Sequence, residues 1–116
     1  MKLPQIESTF VPREKIVNYL LSATHPRGGH KAKFFTAFGF LPENWEELAD
    51  ALRQHAAEHD VANAEATNFG TRFAVECIIK APDGRLPCVR TVWFVEEGEE
   101  TPRFVTAHPL RRDRSC

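Results

Sequence analysis

A chain of 116 residues with 42% hydrophobic and 27% charged side chains has the material for one ordinary globular domain and too little for two cores. Its 15 Lys and Arg against 16 Asp and Glu give a formal net charge of -1, which excludes a uniformly basic surface for nucleic acid and confines any basic site to a local patch. No apolar run approaches the length of a membrane span and the opening MKLPQIESTF lacks the apolar stretch of a signal peptide, so a soluble cytoplasmic protein without membrane contact is expected.

One domain is expected over residues 1–116, with an ordered core at about 10–109 and a tail at 110–116. Apolar spacing is helical before residue 60 and strand-like after it, an α+β order in which about three N-terminal helices cover one face of a four-stranded antiparallel sheet. Pro12 can open a first helix over PREKIVNYLLS, with Ile16, Val17, Leu20 and Leu21 on one face. A second helix is expected over HKAKFFTAF, burying Ala32, Phe34 or Phe35, and Phe38, with Gly39 as its stop. Asn44 and Glu47 make a capping-box pair ahead of the third, WEELADALRQHAAEH.

From Val61 onward four strands are joined by TNFGT, APDGR and EEGEETP, connections too short for parallel crossovers. APDG suits a type I turn closed by a left-handed glycine, which sets Glu76 opposite Arg90 and gathers Phe73, Val75, Cys77, Ile79, Val89, Thr91, Trp93 and Val95 on the helix-covered face. The opposite face then carries Arg72, Glu76, Arg90, Val92 and Phe94. Plain alternation in the last strand, RFVTAHP, sends Val105 and Ala107 to the helices and puts Phe104, Thr106 and His108 beside Arg90.

The stretch THPRGGHKAKFF carries the strongest hint of chemistry. Gly28 and Gly29 let backbone approach a ligand, a helix start favours negative charge, and Lys31 and Lys33 add mobile positive charge. Neither the Walker spacing nor G-x-G-x-x-G is present, and a solvated bend between helices fits the same residues. His25 and His108, each beside a proline, have the residue type for proton transfer near neutral pH and equally suit turns. His55 and His59 stand four apart, a spacing by which two imidazoles can share a metal, yet the motif lacks the glutamate of H-E-x-x-H, and a solvated helix end is the expectation. Cys77 and Cys88 read as reduced structural thiols and Cys116 as a loose end. VEEGEE reads as a charged tip guarding a sheet edge or an acidic patch for a partner, and RRDRSC as a frayed tail, with contact of Arg111, Arg112 and Arg114 to RNA or a partner as the alternative.

The combination VNYLLSATHPRGGHKAKFF, FGF and NWEEL, then TVWFVEEGEETPRFVTAHP, resembles a bacterial domain-of-unknown-function family that occurs as small stand-alone proteins and as C-terminal modules of polymorphic toxins. The resemblance spans about residues 10–109. The family's recurrent positions are here His25, Pro26, Gly29, Lys31, Ala32 and Phe35, then Arg90, Thr91 and Trp93, then Thr106, Ala107 and Pro109. An aromatic such as Tyr is common where this chain has His108. The family's layout is similar to the barnase, EndoU, colicin and RelE group of ribonucleases and toxins, which implies an expectation rather than an activity.

Two readings result. As an endoribonuclease the chain would drive the 2′-hydroxyl of RNA onto the neighbouring phosphate without metal or cofactor, with Lys31 and Arg90 on the phosphate, His25 and His108 in proton transfer, Thr106 hydrogen bonding and Phe94 stacking on a base. RNA and a small acidic immunity or antitoxin protein are its expected partners. As a non-catalytic binding module it would dock an acidic protein through the same basic patch. The enzyme needs His25, Lys31 and Arg90 to converge, whereas the binding module tolerates their dispersal.

Overall fold

The computed structural model describes residues 1–3, 5–6, 9–25 and 29–110, and it runs helices first and sheet second. Pro12 stands just before α1 (Arg13–Lys15), where its missing N–H removes nothing from the helix. α1 passes directly into a π-helical turn (Ile16–Leu20), in which Leu21 N–H donates to Ile16 O at 2.7 Å. The turn buries Ile16 and Leu20.

α2 (Gly29–Ala37) buries Lys31, Ala32 and Phe35, so the stripe facing inward includes a cation. Phe34 and Phe38 are only half-buried. A 3-10 turn (Pro42–Asn44) leads into α3 (Trp45–Glu58), whose buried Leu48, Ala49, Ala51, Leu52, His55 and Ala56 follow helical spacing. Asn44 occupies the N-cap without a capping side-chain bond, so the expected capping box does not form and the Pro42 turn starts the helix instead.

The sheet has the order β1-β2-β3-β4, with β1 (Val61–Thr67), β2 (Gly70–Ile78), β3 (Cys88–Glu96) and β4 (Arg103–Pro109) all antiparallel. The β2–β3 register pairs Glu76 with Arg90 and Cys77 with Val89. Its turn is the expected one: Gly84 N–H donates to Ala81 O at 3.1 Å, Ala81 N–H donates to Arg85 O at 3.2 Å, and Gly84 takes the left-handed φ of 89°. Phe73, Val75, Cys77, Val89, Thr91 and Trp93 are buried on the face that α3 covers.

β4 departs from plain alternation. A bulge falls between the pairs Val92–Thr106 and Trp93–Phe104, which leaves Val105 as the extra residue. Phe104 is therefore carried to the core, 1% exposed, with its ring edge-on to Trp93 at 5.2 Å. The expectation that Phe104 shares a face with Thr106 and His108 fails at this point, while Thr106 and His108 do take open-face positions opposite Val92 and Arg90.

Leu3 and Ile6, upstream of the expected core, are buried in it, and Val61 N–H donates to Met1 O. Among the described residues no helix is long and apolar enough to cross a membrane. Two further expectations are corrected. His55 is a core residue, 2% exposed, and no solvated helix end. Cys77 is disulfide-bonded and, among the described residues, Cys88 is the free thiol, buried, while Cys116 and the arginines of the tail lie outside the described residues.

Candidate active site

The site is built where the first helix and α2 meet β4. α2 packs against β4, and the inward stripe of α2 carries Lys31 to the sheet's edge. Its ammonium donates to Tyr19 Oη at 2.6 Å and to Thr106 Oγ1 at 3.0 Å, and lies 4.7 Å from the centre of the Tyr19 ring. The Thr106 hydroxyl donates in turn to Tyr19 Oη at 3.4 Å. Lys31 is only 3% exposed. Among the described residues it has no carboxylate partner, and two hydroxyls engage two of the three ammonium protons.

A buried cation without a counter-charge is expensive unless an anion completes its shell. The two nearby arginines do not stand in the same need. Arg90 Nε approaches Glu76 Oε2 at 3.6 Å, and Arg72 has Glu65 opposite it on β1. Arg90 Nε itself is buried and, among the described residues, makes no hydrogen bond.

On one side of Lys31 runs a groove of about 530 Å³ lined by Glu14, Lys15, Asn18, Tyr19, His25 and the β4 bulge. The His25 ring meets Tyr19 edge-on at 4.9 Å, and Lys15 is anchored by donating to Val105 O at 3.2 Å. A separate hollow of about 230 Å³ on the open sheet face is lined by Asn63, Glu65, Arg72, Ala74 and Arg90. His108, paired with Arg90, stands next to the Lys31 centre. Partial burial, followed by the charges of Lys31, Arg90, Arg72 and His30, holds its imidazole below the ordinary histidine value, so it is neutral at neutral pH.

For Tyr19, burial acts to raise the phenol, but the hydrogen bonds from Lys31 and Thr106 and the charges of Lys31 and Lys15 outweigh it. The net result lies below the ordinary tyrosine value.

The residues singled out in the sequence are thus distributed unevenly. Lys31, Thr106, His108 and Arg90 form one connected patch, and His25 joins it through Tyr19 from the groove side. Lys33 is exposed and two positions along α2, on the side of the helix away from Lys31. Gly29 donates its N–H to His25 O at 3.0 Å, so this first helical N–H ties the bend together. Gly28 lies outside the described residues. Phe94 is four positions from Arg90 on β3, about 13 Å away, with the Arg103 guanidinium 5.9 Å from its ring.

Tyr19 was not singled out by its sequence context. The signal for it was the wider π turn, which helical spacing does not reveal. Arg72, by contrast, was already legible as an open-face residue. Among the described residues no three His, Cys, Asp or Glu side chains gather as a metal-binding group, although the His55 and His59 rings lie 5.4 Å apart.

Fold and site together define a small α+β domain with helices over an antiparallel sheet and a buried lysine–hydroxyl centre at the sheet's edge. The chain belongs to the domain-of-unknown-function family DUF6883, whose model matches residues 2–111. No curated protein matches its sequence. Its fold is similar to that of a chain in a contact-dependent growth inhibition toxin–immunity protein complex from Klebsiella pneumoniae 342, with a TM-score of 0.68 and 17% identity over 88% of this chain and 98% of that one.

Proposed function

We propose that this protein is a toxin-type endoribonuclease of the cytoplasm that cleaves RNA by attack of a 2′-hydroxyl on the adjacent phosphate. The observation that carries the reading is Lys31, a cation 3% exposed whose partners among the described residues are two hydroxyls. A phosphate oxygen is the ligand that completes its shell, and the same contact offsets the charge that builds on the phosphorane. Neutral His108 suits the group that takes the 2′-hydroxyl proton, and Arg90 beside it adds a second cation to the phosphate. The proton donor to the leaving oxygen belongs on the groove side, where Tyr19 and His25 stand.

The fold's likeness to a chain from a toxin–immunity complex supports the toxin setting and a small immunity protein as partner. An acidic partner seated over the groove and hollow would cover the buried lysine and exclude RNA. The same likeness also suits a non-catalytic member of such a pair, so the test must separate the two.

Purified wild type and Lys31→Met, which keeps the length of the buried stem, are incubated with total RNA in excess chelator and the new ends are analysed. Wild type is expected to leave cyclic-phosphate and 5′-hydroxyl ends, and folded Lys31→Met to be slower by about 10²-fold or more. A folded wild type that leaves a broad RNA pool intact, with chelator and with divalent cations, overturns the nuclease in favour of the binding module.

A further inference from the structure

The hydrogen bonds at the centre run in one direction. Lys31 donates to Thr106 and to Tyr19, and Thr106 donates to Tyr19, so Tyr19 Oη receives two hydrogen bonds. Its own proton has no acceptor among the described residues, and the side chain lines the groove that His25 also lines. A hydroxyl held in this way is arranged to give up a proton, because both donors tighten on the oxygen as negative charge forms there. Thr106 and His108 are two positions apart on one strand face, about 7 Å. Because Tyr19 Oη lies 3.4 Å from Thr106 Oγ1, a phosphate seated between Tyr19 and His108 has a base on one side and an acid on the other.

We infer that Tyr19, rather than His25, is the general acid that protonates the leaving 5′-oxygen. The inference rests on the nuclease reading. In the step, the 2′-hydroxyl proton passes to His108 as the 2′-oxygen bonds to phosphorus. The bond from phosphorus to the 5′-oxygen breaks, and that oxygen takes the Tyr19 proton. The products are a cyclic phosphate, a 5′-hydroxyl, the Tyr19 phenolate beside Lys31, and the His108 imidazolium, which returns its proton to the phenolate through solvent. His25, edge-on to the ring at 4.9 Å, positions Tyr19.

The test uses two matched RNA substrates, one with the natural 5′-oxygen leaving group and one with a 5′-sulfur that departs as thiolate without an acid. Tyr19→Phe is expected to lose about 10²- to 10⁴-fold on the oxygen substrate and less than about tenfold on the sulfur substrate. Thr106→Val, which keeps the phenol but removes one donor to it, should show a smaller loss with the same rescue. His108→Ala should lose on both substrates. Equal losses of Tyr19→Phe on both substrates overturn the acid assignment and leave the nuclease standing. Wild type that cleaves neither removes the nuclease and the assignment together.

A substrate-free measurement accompanies these. Tyr19 is the chain's one tyrosine, so phenolate absorbance reads it directly. Its midpoint should lie below the ordinary value of about 10 and rise in Lys31→Met. A midpoint that is the same in both proteins shows that Lys31 does not act on the phenol, and counts against the assignment.

Discussion

His55 shows how a single side chain sets a pH limit on the whole fold. Cys77 O can only accept, so the 3.2 Å contact fixes the proton on His55 Nε2 and leaves Nδ1 to accept from the Thr91 hydroxyl at 3.1 Å. Thr91 Oγ1 in turn accepts from Trp93 Nε1–H at 2.9 Å. Each member of this buried chain is satisfied by the neutral ring. Burial, reinforced by the neighbouring His59, lowers His55 from 6.5 to about 4.

The sign follows from which state binds the proton. Between about 4 and 6.5 the unfolded chain is protonated at this position and the native chain is not, so stability is complete above 6.5 and falls with pH through that window. The loss attributable to His55 is about 3 kcal/mol. Urea unfolding across the window should show it in wild type, whereas His55→Gln, which can offer one donor and one acceptor without titrating, should be less stable but lack that part of the slope. Identical slopes would mean that His55 is solvated in the native state.

At the scale of elements, the β1–β2 hairpin depends on Gly70. Its φ is 150°, and an added Cβ would lie 2.2 Å from Val95 O and 2.9 Å from Phe94 Cζ. Backbone and ring close on the position together, so Gly70→Ala is expected to destabilise by at least about 2 kcal/mol. Gly84 has a φ of 89° with open space around its would-be Cβ, and Gly84→Ala should cost only about 1 kcal/mol. Thermal unfolding of the two variants checks the contrast, and equal losses would refute it.

These elements also mark what the sequence can reveal. The β2–β3 register was legible because APDG admits few turns and because a two-residue Asp-Gly turn would shift the pairing by one and bury the Arg90 guanidinium beside Cys77. The β4 bulge was not, since it depends on Trp93 drawing Phe104 across to the core. The π turn was hidden for a similar reason: Ile16 and Leu20 fit an ordinary helix, and it is β4 that brings Thr106 to Tyr19. The lysines of THPRGGHKAKFF were visible as charges. Their division into one buried and one exposed residue follows from Lys31 sharing a stripe with Phe35, a pairing four apart whose polar member gave no hint of burial.

Over the whole molecule the charges separate along the sheet. Glu96, Glu97, Glu99 and Glu100 crowd the β3–β4 tip, with Arg103 held to Glu96 at 2.7 Å, while Arg90 and the Lys31 centre lie farther along the sheet and Arg72, level with Phe94, lines the same hollow as Arg90. The net charge of -1 therefore conceals a strongly acidic tip at the β3–β4 connection. On the nuclease reading, RNA bound at the Lys31 centre would meet few cations, so its binding should depend weakly on salt. Three or four phosphate contacts on a single strand give a slope of log K against log salt of about -2 to -3. Removing Arg72 should lower that slope by about one contact's worth, whereas Phe94→Ala, which removes no charge, should leave the slope unchanged. Binding of a non-cleavable RNA analogue, followed by fluorescence anisotropy over a range of salt, measures these slopes. A slope near zero would mean that the lysine centre does not take phosphate, and a much steeper one that RNA engages further cations.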